Sequence, residues 1–176
     1  MHDLSPLPYT QTMLRHVSDH IPRVQDFLGQ RLGIENPSSY VAFAVHEMSE
    51  WVFMGELWHL ADCELLLEMS NVCVSSVNHH FDPQRYVDAL PPTWVHQIHL
   101  AGHETQVGDL IDSHDQPICE AAWQLCGDAL QRCGPVPLMI ERDDHIPDLH
   151  ELLDELELDL ARKIHAQTLK AQECPA

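Results

Sequence analysis

The sequence predicts an α/β fold built on a parallel sheet of about four strands that alternate with helices. Three observations carry this reading. Short apolar runs of strand length (RLGIE, ELLLE, residues 94–100 and residues 137–141) alternate with longer stretches of helical periodicity. The runs are apolar on both faces, as expected when helices cover a sheet or a barrel closes. Glycine and proline punctuate the junctions at Gly29, Pro91, Pro92, Gly134 and Pro135.

Taken in order, Thr10 caps a first helix reaching Leu28, with Met13, Val17, Val24, Phe27 and Leu28 on its apolar side. Pro22 falls inside it and predicts a kink or break, and Gly29 ends it. RLGIE is a strand ending at Glu35, followed by the NPSS loop. A second helix is expected over residues 47–61, and ELLLE then forms a strand ending at Glu68. Residues 70–80 read as irregular. Asp82 and Pro83 open a short helix through Ala89 that the paired prolines end. Residues 94–100 are a third strand with His99 near its end, followed by a loop to Asp115. Pro117 starts a helix to about Cys133, and residues 137–141 are the fourth strand. Pro147 starts a last helix, with Leu149, Leu152, Leu153, Leu156 and Leu160 at helical spacing, and the final residues are expected to fray.

At 176 residues and 44% apolar content, one domain with a real core is the default. A formal charge of −19, from 28 acidic and 9 basic residues, opposes binding to nucleic acid or to anionic membranes. Most of that excess is solvated surface, yet clustered carboxylates are also a natural place for a cation. Histidine is abundant, 14 in all. The six cysteines form no C-x-x-C pair, which removes zinc-knuckle and thioredoxin-like motifs; buried or reduced thiols are expected rather than a disulfide scaffold. No signal peptide or long apolar span is seen, so the chain is expected to be cytoplasmic. No G-x-G-x-x-G or Walker motif follows any strand.

Parallel α/β folds gather ligands at the carboxyl ends of their strands. Those ends here carry Glu35, Glu68, His99 and Glu141. A strand-end Glu is usually just the first solvated position, and a lone His is usually a core residue; the coincidence on all four strands points to a shared metal site. Asp112 and His114, two apart, can reach one ion from a single turn, and Asn71, three after Glu68, can add a neutral oxygen. A carboxylate and imidazole set without Cys suits Zn, Fe or Mn. The histidines at 16, 20, 46, 59, 150 and 165 are placed on helices at no shared spacing and are discounted. His79 and His80 are read as loop residues, and His103 as second to the ligands or facing substrate. No catalytic residue is singled out. These residues alone leave redox chemistry and hydrolysis both open.

The runs LPYT, ENPSSY, EMSE, LLLEMSNVCV, VNHHFDP, ALPP, QIHLAGHE, LIDSHD and IERDDHIP follow one another in this order. The ordered set resembles the multinuclear non-heme iron-dependent oxidative enzymes, the family of the methanobactin-biosynthesis oxidase and the bufferin maturases. The resemblance implies a fold like the xylose-isomerase-like TIM barrel and a site for two or three irons. It also implies O₂-dependent modification of cysteine in a ribosomally made precursor peptide, presented by a leader-binding partner protein. A more distant likeness to endonuclease IV supports the same positions: Glu35, Glu68 with Asn71, His99, Asp112 with His114, and Glu141. Nuclease activity itself is rejected on charge. This sequence departs from the family pattern at Glu68, where Asp is usual, and at His80, where Gly is usual. The family's enzymes also carry a long segment before LPYT that supplies the first barrel strands and two histidine ligands. Residues 1–160 are therefore expected to be the C-terminal portion of a TIM-barrel-like domain, with residues 161–176 a helix end and tail. Self-association or a complementing half-barrel would close it. The alternatives are a metal-dependent hydrolase or isomerase on the same scaffold, or a non-catalytic truncated remnant.

Overall fold

The computed structural model describes residues 6–157. Helix α1 (Gln11–Leu28) starts at Thr10, whose hydroxyl accepts the Met13 N–H, and ends at Gly29 in the left-handed region at φ 69°. Such a cap stabilises the helix by about 1 kcal/mol. The helix runs unbroken through Pro22, so the predicted break does not occur. A proline removes one intrahelical bond, and burial of Leu14 and Ile21 with packing against the next helix outweighs that loss.

Strand β1 (Gly33–Glu35) is shorter than predicted. Helix α2 (Glu50–Ala61) begins after Ser49, three residues later than expected, which leaves His46 in a loop where its Nδ1 accepts the Tyr9 N–H. Strand β2 (Glu64–Glu68) matches its predicted span. It leads directly into helix α3 (Met69–Asn78), where irregular structure was expected. The reason is burial. Residues 69–76 are all buried, so the helix shows no amphipathic period, and its Val, Ser, Asn and Cys side chains are weak helix formers. Tertiary contacts and the cap at Glu68 make the helix.

Helix α4 (Pro83–Ala89) is capped by Asp82, and strand β3 (Val95–Leu100) follows. The predicted loop to Asp115 contains a hairpin, β4 (Glu104–Gln106) with β5 (Asp109–Ile111), closed by Val107 and Gly108, both at positive φ. A β-branched residue is an unusual choice there. Helix α5 (Glu120–Cys133) starts at Cys119 rather than Pro117, and β6 (Leu138–Ile140) is the last strand. Residues 149–157 are helical. Of the predicted leucine stripe, Leu156 packs on the core while Leu149 and Leu153 are exposed; Leu160 lies outside the described residues.

The main sheet has order β1-β2-β3-β6 with every pair parallel, so each new strand is added on the same side, as in a barrel wall. The sheet does not close among the described residues: β1 and β6 are its two edges. The central strands are the buried ones, and the edges are half-exposed, which qualifies the expectation of strands apolar on both faces. Leu67 and Ile98 sit at the centre of the core, which α2, α3, α4 and α5 complete; each such side chain contributes roughly 1.5–3 kcal/mol on burial. Among the described residues, Cys63, Cys73, Cys119, Cys126 and Cys133 form no disulfide. No helix among the described residues is long and apolar enough to cross a membrane.

Candidate metal centre

Parallel strands bring their carboxyl ends to one end of the sheet. Glu68 pairs with His99 across β2 and β3, and Glu141, one residue beyond β6, donates its N–H to the Leu100 carbonyl at 2.8 Å. Glu68, His99 and Glu141 thereby offer ligand atoms that all lie within 4.8 Å of one another. His114, Glu141 and Asp143 form a second set within the same limit. Glu141 belongs to both: Oε2 is 3.2 Å from His99 Nδ1, and Oε1 is 3.9 Å from His114 Nδ1.

Glu68 is fully buried, and its two oxygens have different tasks. Oε1 accepts the Ser70 N–H at 2.8 Å and caps α3, while Oε2 is buried without a hydrogen-bond partner. Asn71 is split in the same way. Its Nδ2 donates to the Asn36 carbonyl at 2.9 Å and lies 3.4 Å from Glu35 Oε1; its Oδ1 has no partner. The opposite amide orientation would set oxygen against two oxygens, so the free atom is the oxygen.

His114 is held at φ 50°, a strained conformation for a residue with a Cβ, costing roughly 1–3 kcal/mol. Its N–H donates to the Gly102 carbonyl at 3.1 Å, and its carbonyl accepts the Asp143 N–H at 2.9 Å. The loops after β3 and β6 therefore grip it from both sides. Gly102 has no alternative here, because a Cβ would stand 1.9 Å from the Gln116 carbonyl oxygen. Asp112 is set by its N–H, which donates to the Tyr40 hydroxyl at 2.9 Å.

His99 is engaged at both ring nitrogens. A carboxylate only accepts, so Nδ1–H donates to Glu141, and Nε2 accepts from the Gln97 amide at 2.8 Å. Burial, with the neighbouring Glu141 adding to it, raises the Glu35 carboxyl above the usual carboxylate range, although His99 and His114 offset part of this. Burial likewise pushes Glu68 up to about 7. At His114 burial favours the neutral ring, but Asp112, Glu68 and Glu141 outweigh it and hold the pKa at about 9. The cup concentrates negative charge that calls for a cation.

All seven residues singled out from the sequence therefore gather at one end of the sheet. Glu68, His99, His114 and Glu141 fall in the two tight sets, Asp112 joins through His114, and Glu35 and Asn71 line the wall beside them. The sequence reading missed Asp143, which follows Glu141 at a spacing of two, and Asn36, which is fully buried behind Glu68. His103 is half-buried with Nδ1 lacking a partner, and burial lowers its pKa. His79 contacts the Ser39 hydroxyl at 3.0 Å, and His80 adopts φ 58°, a backbone conformation that favours glycine.

Glu68 Oε2 and Asn71 Oδ1 are buried without a hydrogen-bond partner, which is costly unless something binds them. Asp112 Oδ1 and the ring nitrogens of His114 are held only by the ion pairs around that ring. Oxygen and imidazole donors without thiolate fit iron, manganese or zinc.

A parallel sheet with such a cup at its strand ends belongs to the TIM-barrel-like class. A xylose isomerase domain protein from Alicyclobacillus acidocaldarius subsp. acidocaldarius matches with a TM-score of 0.50 and 14% identity, over 89% of this chain and 63% of that one, which shows the fold alone. The particular family is shown by sequence: the family model described as RiPP precursor modification enzyme MbnB/TglH/ChrH matches residues 1–165, and the chain belongs to that family. Among curated relatives, the UPF0276 protein of Anaeromyxobacter sp. (strain Fw109-5) is 49% identical over 154 residues, 88% of this chain and 54% of that protein. That of Acaryochloris marina (strain MBIC 11017) is 48% identical, over 87% of this chain and 55% of that protein. That of Caulobacter vibrioides (strain NA1000 / CB15N) is 48% identical, over 92% and 58%. The chain spans about half the length of the curated relatives it matches.

Proposed function

We propose that this chain carries the metal-binding wall of a multinuclear iron-dependent oxidase that modifies cysteine in a ribosomally made precursor peptide. The observation that carries the proposal is the set of buried, unpartnered ligand atoms at the strand ends, in a chain of a precursor-peptide modification family. Glu35, Glu68, Asn71, His99, Asp112, His114 and Glu141 are the proposed ligands, with Asp143 added by the geometry. Two or three iron ions held there would supply the redox chemistry, with O₂ as the oxidant that takes electrons from the cysteine side chain.

The chain's own residues bind, orient and shield. Glu141 presents one oxygen to each imidazole, which suits a bridging carboxylate. α3 closes the floor against water, since Met69, Val72 and Val74 are fully buried. Tyr40 and Gly102 hold the Asp112 to His114 turn at the mouth. The precursor peptide would approach that mouth, brought by a leader-binding partner protein. The open edges of β1 and β6 are where a complementing half-barrel or a second copy would add strands.

The test is anaerobic loading of the purified chain with Fe(II), followed by metal analysis and exposure to O₂ with a Cys-containing precursor peptide and its leader-binding partner. Bound iron with visible-region absorbance and a mass change at the peptide cysteine are expected. Colourless zinc as the only metal retained would favour a hydrolase or isomerase. Absence of any bound metal, unchanged by His99→Ala, would favour a non-catalytic chain.

A further inference from the structure

Asn36 directly follows the last residue of β1 and is fully buried. The β1–β2 ladder stops at Glu35 opposite Leu66. Beyond it, the Asn36 side chain takes the place of the next peptide group. Its Oδ1 accepts the Glu68 N–H at 2.9 Å, and its Nδ2 donates to the Glu68 carbonyl at 3.0 Å. One amide thus satisfies both main-chain groups of a single residue, as a neighbouring strand would. The Asn36 main-chain carbonyl separately accepts from Asn71 Nδ2 at 2.9 Å.

These bonds reach two candidate ligands at once. Holding the Glu68 backbone fixes where its carboxylate divides between Ser70 and the cup. Binding the Asn71 amino group turns the Asn71 oxygen the other way, where it makes no hydrogen bond. Both side-chain polar atoms of Asn36 bond Glu68, so the side chain acts on the cup through Glu68. The bonds are sealed from water, where an unpaired polar group would be costly, so the arrangement is fixed rather than averaged.

We propose that Asn36 is the positioning residue of the cup: its side chain sets the Glu68 carboxylate to present oxygen to a divalent cation, while its main-chain carbonyl, which either substitution leaves in place, orients the Asn71 amide. This rests on the reading of the cup as a metal site. Aspartate of the same size would keep the acceptor for the Glu68 N–H but lose the donor to the Glu68 carbonyl. Alanine would lose both.

The test is titration of the full chain with Mn²⁺, followed by the electron paramagnetic resonance signal of the free ion, alongside thermal unfolding of each metal-free protein. Asn36→Asp and Asn36→Ala are compared with Val87→Ala, a core substitution on α4 away from the cup. Both Asn36 variants are expected to bind Mn²⁺ about 10–100-fold more weakly, the effect of removing a partner that orients a ligand. Val87→Ala should stay within about twofold despite its lower melting temperature, as distant sites act independently. Should Asn36→Ala not fold, Asn36→Asp carries the comparison. Wild-type affinity in a folded Asn36 variant overturns the inference while leaving the metal site intact. Failure of the wild-type chain to bind Mn²⁺, Fe(II) or Zn²⁺ overturns the metal reading itself, and this inference with it.

Discussion

Asp112 Oδ1 stands 2.7 Å from His114 Nε2, a largely buried ion pair in which Asp112 leads the carboxylates that raise the His114 pKa. The pair ties the Asp112 carboxylate to the ring that also faces Glu141 and Asp143.

Asp112→Asn keeps the shape and removes the charge. It should weaken divalent-cation binding by more than about tenfold, at or above the scale seen for residues that merely support a ligand. Titration calorimetry under anaerobic conditions measures this. Unchanged affinity would separate Asp112 from the cup.

Gln97 faces His99 Nε2 at 2.8 Å. A cation held by Glu68, His99 and Glu141 through Nδ1, the nitrogen nearest Glu141, would leave the ring proton on Nε2, where Gln97 would have to present its amide oxygen. Gln97→Glu, which offers an acceptor, should bind at least as tightly as wild type. Gln97→Leu should be about tenfold weaker or more, because Nε2–H is left unpaired. The reverse order of affinities would reject this account.

Gly102→Ala should destabilise the chain by roughly 1–3 kcal/mol or more, the range for overpacking. The added carbon meets the backbone at Gln116, which cannot step aside as a side-chain tip would. Because the Gly102 carbonyl receives the His114 N–H, metal affinity should fall together with the urea midpoint.

Glu50 predicts a pH effect remote from the cup. Its carboxylate accepts from the hydroxyls of Tyr9 at 2.7 Å and Tyr86 at 2.9 Å. Burial, the larger influence, raises its pKa above the ordinary 4.5 in spite of those bonds. The folded chain therefore keeps this proton to higher pH than the unfolded chain. Between the unfolded and folded pKa values the native state binds more protons, so the Glu50 contribution to stability falls as pH rises through that window and is constant above it. Glu50→Gln should flatten that part of the profile. Urea unfolding from pH 4 to pH 8 reads it, and identical slopes in the two proteins would refute it.

The sheet was legible in the sequence because each strand is a short apolar run with an ionisable residue at or beside its end, as in ELLLE, and such runs need no long-range information to be recognised. The convergence of those ends was legible for the same reason: parallel strands bring their carboxyl ends to one end of the sheet. α3 was not legible. Residues 69–76, MSNVCVSS, are all buried, and a helix without a solvent-facing polar stripe there leaves no period to read. The β4–β5 hairpin was hidden by Val107 occupying a turn position where Asn or Gly would have announced it. Asp143 was passed over because it lies in an acidic run after Glu141, where only the fold of the loop against His114 separates it from Asp144. Asn36 left no trace because its partners are main-chain atoms 32 residues away.

Glu68 ends a strand, begins a helix and faces the cup with a single carboxylate. A demand on Oε2 therefore redistributes charge on Oε1, and the first amide to register it is that of Ser70, whose hydroxyl is in turn joined to both the N–H and the carbonyl of Ala101. The opening turn of α3 is thus a gauge of the cup. A change in hydrogen exchange at the Ser70 amide on metal addition would report a filled site.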